Sequence, residues 1–281
     1  MAKKANLKAQ VVKPDITTQD PPITAVPLVA VISDTHFGGF TSLCPEQVEL
    51  DDGGRYYASA VQLKLLEWWD AYWKEVFDRA QGRKLIVIHL GDIVDGNVKH
   101  RGQGLTNPAI QEAIAIAMLK PIRDRADKFF ITRGTEAHVG DSAEAEVRIA
   151  KALEADACEW ELGLRVGSVL YDLSHHGRGS SRPWGSAGAT QAWEVIADCH
   201  MFGVEVPRFI LRGHRHILDD SGERVPGTRF ICLPAWQLRN AHGHKVASTR
   251  RSDIGGIIIE GENVTVRRYS APLGRSIIKV D

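Results

Sequence analysis

Three short segments carry the side chains best suited to chemistry: Asp34-Thr35-His36, Gly91-Asp92-Ile93-Val94-Asp95-Gly96 and Gly213-His214-Arg215-His216. Each closes an apolar run, respectively Val26 to Ile32, Leu85 to Leu90 and Arg208 to Arg212. Aspartate and histidine delivered together can hold a cation. Mixed carboxylate and imidazole donors suit Mn, Fe or Zn better than Ca or Mg. If the apolar runs are buried strands of an open α/β sheet, the segments lie at the carboxyl edge, where ligands bind in such sheets. The chemistry expected of such a cluster is metal-dependent hydrolysis.

Taken singly, each segment says little. Asp-x-His is more commonly a surface pair. His-x-His on an extended segment can send its two rings to opposite sides. Their order and placement carry more weight, because a further segment, Ser174-His175-His176-Gly177, follows a strand-like run in the same way.

The elements that must position these groups read as follows. A continuous apolar strand is expected over about Val26 to Ser33, in the manner of a buried parallel strand. Residues 37 to 57, with Gly38, Gly39, Gly53 and Gly54, read as a long irregular loop. Leu65, Trp68, Trp69, Tyr72, Trp73, Val76 and Phe77 repeat at helical spacing, as a helix packed on a sheet would, with Gly82 placed to end it. Leu85 to Leu90 is the second strand. A helix over Asn107 to Leu119, broken at Pro121, and a strand over Lys128 to Thr132 follow. Asp141 and Glu144 are spaced as a capping box for a helix over about Ala143 to Ala155. Next come a strand over Val169 to Ser174, a helix over Gly188 to Phe202 and a strand over Arg208 to Arg212. The tail is strand-rich at Arg229 to Leu233, Ile254 to Glu260 and Val264 to Tyr269. The turn Gly261-Glu262-Asn263 pairs its last two strands antiparallel. The alternation implies an α/β fold with a second sheet formed by the C-terminal strands.

Composition bounds the rest. The chain has 281 residues, 43% apolar and 25% charged, with zero formal net charge. That balance argues against a protein built to coat nucleic acid, and leaves room for a local basic groove. Residues 1–24 carry Pro14, Pro21 and Pro22 among polar residues and read as a disordered arm without the apolar core of a signal peptide, followed by one domain over 25–281. No apolar run approaches the roughly 20 residues of a membrane span, and a cytoplasmic protein is expected. Cys44, Cys158, Cys199 and Cys232 form no Cys-x-x-Cys and read as reduced, mostly buried thiols.

The ordered segments resemble the calcineurin-like metallophosphoesterase family, whose motifs run Asp-x-His, Gly-Asp-x-x-Asp, Gly-Asn-His-Asp/Glu, a single His, and Gly-His-x-His. The resemblance spans about residues 28 to 240. It implies a two-sheet β-sandwich flanked by helices, in four αββα layers. It also implies two divalent metal ions, Mn²⁺ first, with Fe, Zn or Ni as other occupants. Asp34, His36 and His216 would hold the first ion, and His214 with His175 or His176 the second. Asp92 would bridge both, so that a bound water deprotonates near neutral pH and attacks phosphorus in line. His175 is favoured as ligand because the family often has His-x-Gly here. If the strand phases otherwise, His176 takes the role, and the remaining histidine hydrogen-bonds substrate. Asp95 would accept a hydrogen bond from a ligating histidine.

The chain departs from the family at the third motif, Arg133-Gly134-Thr135-Glu136-Ala137-His138. The amide ligand is missing. Thr135 stands in its place with a neutral hydroxyl, or as a turn-forming residue. Glu136 offers a carboxylate. His138, two residues later than the family position, is the candidate to protonate the leaving group. Arg101, Arg133, Arg178, Arg182 and Arg215 lie near the motifs and suit phosphate. Arg101 and Arg178, with His176, are the candidate substrate contacts, and Asn97 and His100 lie within reach. The resemblance thus implies a phosphoester hydrolase, here a phosphodiesterase acting on a nucleotide or nucleic acid. The alternatives are a non-catalytic metal-binding scaffold of the same fold for a protein or nucleic-acid partner, and a metal hydrolase acting on another bond such as an amide. Oligomeric state is not legible.

Overall fold

The computed structural model describes residues 26–96, 105, 107–139, 144–177, 186–239 and 252–270. The expected arm over 1–24, Asn97, His100, Arg101, Asp141, Arg178 and Arg182 lie outside the described residues.

The first sheet contains β1 (Leu28–Ile32), β4 (Leu85–His89), β5 (Lys128–Thr132), β6 (Ala157–Glu159), β12 (Ile254–Glu260) and β13 (Asn263–Tyr269), in the order β13-β12-β1-β4-β5-β6. Its β1-β4-β5-β6 portion is parallel, and β12 pairs antiparallel with both β1 and β13. The second sheet contains β7 (Glu161–Val166), β8 (Val169–Ser174), β9 (Phe209–Arg212), β10 (Asp219–Asp220) and β11 (Arg229–Cys232), in the order β10-β11-β9-β8-β7. Strands β8, β9 and β11 are parallel.

Strand periodicity explains the layering. On β1, Leu28, Ala30 and Ile32 face helices α1 (Ala60–Arg79), α2 (Pro108–Arg123) and α4 (Glu144–Ala152), in a core with Leu65, Tyr72, Leu119 and Ile149. Val29 and Val31 point the other way, into a core shared with Tyr171, Leu173, Phe209 and Leu211 of the second sheet. Beyond that sheet, Ala192 and Ile196 of α5 (Ser186–Phe202) pack on Ile210, Phe230 and Cys232. The result is the four-layer αββα sandwich. Burying one such aliphatic or aromatic side chain contributes about 1.5–3 kcal/mol. The aromatic stripe of α1 is core, as its spacing implies: Trp69, Tyr72 and Trp73 are buried, and Trp236 packs edge-on against Trp69. Cys44, Cys199 and Cys232 are buried and all four cysteines are free.

Three expectations need correcting. The last two strands do not build the second sheet; β12 inserts beside β1 and completes the first. Ile254 and Ile258 face the helices while Ile257 and Ile259 face the other sheet, so β12 is buried on both sides, as an internal strand must be. Residues 37–57 are not wholly irregular, since β2 (Gln47–Glu49) and β3 (Arg55–Tyr57) form a small hairpin around Gly53. Gly53 takes a φ of 80°, which its lack of a Cβ permits. Helix α2 runs through Pro121 to Arg123. Proline removes one hydrogen bond, and burial of Leu119 and Ile122 on either side of it offsets the loss. Strands β6 and β7 had no expectation. Among the described residues no helix is long and apolar enough to cross a membrane.

Candidate metal centre

Strands β1, β4 and β5 of one sheet and β8 and β9 of the other end at the same place. Ile32 is in register with His89, and Ser174 with Arg212, so the segments that follow leave their sheets side by side. Backbone pairing then continues past the strands. The Asp34 N–H donates to Gly91 O (3.0 Å), the His36 N–H to Asp92 O (3.0 Å) and the Gly213 N–H to His175 O (3.0 Å). Gly213 is needed for this closeness, because a Cβ there would lie 2.2 Å from Ser33 Oγ and 3.0 Å from Asp34 Oδ2.

The turns are strained where the donors sit. Among the described residues, the non-glycine residues with positive φ are Asp34 (53°), His36 (45°), Asp92 (52°), Glu154 (51°), His214 (69°) and His216 (53°). All but Glu154 belong to the candidate site. Asp and His tolerate the left-handed region better than most residues, and such strain gathers at functional sites.

Asp34 is fully buried. Its Oδ2 accepts hydrogen bonds from Ser33 Oγ (2.5 Å) and the His214 N–H (3.0 Å). Its Oδ1 has no hydrogen-bond partner among the described residues. Three imidazole nitrogens face that oxygen: His216 Nε2 at 3.2 Å, His36 Nε2 at 3.7 Å and His175 Nε2 at 4.0 Å. His36 Nε2 and His216 Nε2 approach to 3.1 Å. A buried carboxylate oxygen that no hydrogen bond among the described residues satisfies, with three imidazole nitrogens around it, is a donor set that fits a divalent cation. Asp34, His36 and His216 lie close enough to share one, as do Asp34, Asp92 and His175.

Asp92 lies between the two halves. Its Oδ2 is 3.1 Å from His175 Nε2 and 3.8 Å from His36 Nε2. Its Oδ1 accepts the Thr135 N–H at 2.6 Å. The Thr135 hydroxyl occupies the middle of the second half, 3.2 Å from Asp92 Oδ2, 3.3 Å from His175 Nε2 and 3.1 Å from His214 Nδ1. Glu136, at the start of the single-turn helix α3 (Glu136–Val139), is exposed. His175 is buried, with Nδ1 donating to Leu90 O, so Nε2 is free to face the carboxylates. His176 is exposed, its ring 4.7 Å from that of His214.

Burial works against charge on Asp34, yet His216 and His175 hold its carboxyl well below the usual carboxylate range. Asp92 is likewise held low, against its burial, by His175 and His36. Burial alone would lower the His175 imidazole, but Asp92 and Asp34 outweigh it and lift it to about 10. Burial and the neighbouring His175 push His214 down to about 4.

His138 reaches the cluster from the third motif. Its Nδ1 lies 2.8 Å from Asp95 O, and a carbonyl only accepts, so Nδ1 carries the proton and Nε2 is left for the site. Its ring stands 4.5 Å from that of His36. The hydrogen bond expected from a histidine to Asp95 is not formed. His36 Nδ1 stays 3.6 Å from Asp95 Oδ1, whose partner is instead Gln237 Nε2 at 2.9 Å. Arg133 turns away to Cys158 O and the Trp160 ring, and Arg215 lies 3.9 Å from Asp219.

Sequence reasoning missed two groups. Glu146 is a fully buried glutamate on α4 that touches the backbone of both the second and third motifs. Burial, then Asp92, push its carboxyl up to about 8. Its signal was a charge on the apolar face shared with Ala145, Ile149 and Ala150. His89, ending the apolar strand β4, has Nε2 3.0 Å from Thr35 Oγ1 behind the site, and burial pushes it down to about 3.

A two-sheet αββα sandwich that brings Asp-x-His, Gly-Asp-x-x-Asp, a lone His and Gly-His-x-His to one edge is the arrangement implied by the resemblance to the calcineurin-like metallophosphoesterases. No family model matches the chain, and no curated protein matches it. Solved structures do match. They include a novel archaeal phosphodiesterase (10% identity, 86% of this chain and 99% of that one, TM-score 0.42). Vacuolar Protein Sorting 29 of Cryptosporidium parvum matches at 11% identity over 88% of this chain and 100% of that one, TM-score 0.45. The phosphoesterase Yfce of E. coli matches at 11% identity over 85% and 91%, TM-score 0.42. At this level of likeness the side chains, not the relatives, carry the functional reading.

Proposed function

We propose that this chain is a metal-dependent phosphoester hydrolase with a two-cation centre, acting on diesters such as a nucleotide or nucleic acid. The observation that carries the reading is the position of Asp92 Oδ2, within 3.1 Å of His175 Nε2 and 3.8 Å of His36 Nε2, between two donor sets that share its carboxylate. Asp34, His36 and His216 hold the first cation, and His175, His214 and Thr135 the second, with Mn²⁺ the expected ion and Fe, Zn or Ni alternatives. A cation pair supplies Lewis-acid polarisation of a phosphoryl oxygen and lowers the pKa of water. The protein's own part is to orient and to move protons. Ser33 and the His214 N–H fix one oxygen of Asp34 so that the other faces the site. His138, with its Nδ1 proton committed to Asp95 O, presents Nε2, which takes up a second proton from solvent and, as the imidazolium, delivers it to the leaving oxygen. His176, exposed beside His214, is placed to meet substrate; Arg101 and Arg178 are proposed contacts from sequence alone.

The test is a panel of aryl mono- and diesters with each divalent metal. Hydrolysis is expected with Mn²⁺, favouring diesters, and Asp92→Asn should abolish it. Metal-loaded protein inert on every ester would overturn the reading. One observation favours a second reading, a metal-binding scaffold without turnover: a neutral hydroxyl, Thr135, stands where the family has its amide ligand. That reading requires bound metal, no turnover, and partner binding unaffected by His138→Ala.

A further inference from the structure

Glu146 occupies a position where an apolar residue would be expected. It shares the buried face of α4 with Ala145, Ile149 and Ala150. It is fully buried, and among the described residues it forms no ion pair. Burying a carboxylate away from water without a charged partner is unfavourable. What it does have is two backbone donors. Oε1 accepts the Ile93 N–H at 3.2 Å, and Oε2 accepts the Gly134 N–H at 2.5 Å.

Those donors are not neighbours in the chain. Ile93 follows Asp92 on the segment leaving β4, and Gly134 precedes Thr135 on the segment leaving β5. One side chain therefore ties two motif segments together on either side of the Asp92–Thr135 contact. A Cβ on Gly134 would lie 2.3 Å from both Asp92 N and Asp92 Oδ1. Glycine lets the segments close, and Glu146 holds them closed. The Thr135 N–H then reaches Asp92 Oδ1 at 2.6 Å, and its hydroxyl points between Asp92, His175 and His214.

We propose that Glu146 is the positioning residue of the second cation site: its two carboxyl oxygens clamp the backbone of Ile93 and Gly134 so that Asp92 and Thr135 present their oxygens to one ion. The proposal rests on reading the cluster as a metal centre. It accounts for how a neutral hydroxyl serves where a stronger donor is expected, because a weak ligand held rigidly loses little on binding. The first site, made by Asp34, His36 and His216 with the shared Asp92, contains neither Thr135 nor the third-motif segment and depends on the clamp less.

The experiment is calorimetric titration of the full chain with Mn²⁺ and with Zn²⁺, comparing the wild type with Glu146→Gln. Glutamine keeps the size but has one acceptor oxygen, and its NH₂ must face a backbone N–H. The wild type is expected to bind two ions. The variant should lose about 10- to 100-fold in affinity at the second site and keep its first-site affinity. Unchanged second-site affinity, an equal loss at both sites, or a wild type with a single site overturns the proposal. If the variant does not fold, the wild type still decides. The Gly134 amide signal should shift mainly with the second Zn²⁺ equivalent, and silence at that equivalent overturns the clamp. A wild type that binds two ions but cleaves no phosphoester would sink the hydrolase reading and leave this one standing.

Discussion

Thr135 touches Asp92 twice, through its backbone N–H to Oδ1 at 2.6 Å and through its hydroxyl to Oδ2 at 3.2 Å. The backbone contact is independent of side-chain identity, whereas the hydroxyl is not. Replacing the side chain therefore changes what is offered to a cation while leaving Asp92 oriented. Thr135→Asn, which supplies an amide oxygen in place of a hydroxyl, should tighten the second metal equivalent, and Thr135→Ala should weaken it by about 10-fold or more. Competition against a metal-chelating dye reads both.

His138 can be tested through the leaving group. Removing a positioned general acid costs about 10²- to 10⁴-fold in rate. His138→Ala should show that loss on an alkyl diester, whose leaving oxygen needs a proton. The loss should be much smaller on a nitrophenyl diester, whose leaving oxygen does not. Equal losses on both, with lower metal content, would make His138 a ligand instead.

Gly134→Ala forces a Cβ to 2.3 Å from Asp92 N and Oδ1. It should lower stability by about 1–3 kcal/mol, as overpacking does, and empty the second site as well. Gly163→Ala is the control, since no atom of the described residues lies within 4 Å of a Cβ there. Urea midpoints of the two variants, taken with and without metal, provide the comparison.

Glu146 gives the metal-free protein a pH dependence of known sign. Its folded pKa is pushed up to about 8 by burial and then by Asp92, above the ordinary value of about 4.3. Between those values the native state holds a proton that the unfolded chain has released, so stability falls as pH rises. In EDTA, the melting temperature of Glu146→Gln should therefore decline less from pH 5 to pH 8 than that of the wild type. Parallel curves would show that the group does not titrate there.

Much of this was readable from local pattern. Strands Val169–Ser174 and Ile254–Glu260 carry their own boundaries, and the α1 aromatics fall on one face because helical spacing leaves no alternative. The donor segments were visible because Asp and His interrupt apolar runs at strand ends. What escaped depends on tertiary choices. Pro121 is tolerated because Leu119 and Ile122 are already buried beside it. The pairing of β12 with β1 joins residues more than two hundred positions apart, and no window of sequence contains it. Glu146 showed only as a charge on an apolar helix face; its partners are backbone amides of two other segments, which leave no mark on residue type.

The donors of the candidate centre come from both halves of the sandwich. Asp34, His36, Asp92 and Thr135 follow strands of the first sheet, while His175, His214 and His216 follow strands of the second. An ion seated among them would act as a rivet through the seam between two slabs whose shared core is apolar. At a hundred times its dissociation constant one such ion adds about 2.7 kcal/mol of resistance to unfolding. The apo chain should thus hinge apart first at the edge that carries these donors, and metal supply would govern the protein's lifetime.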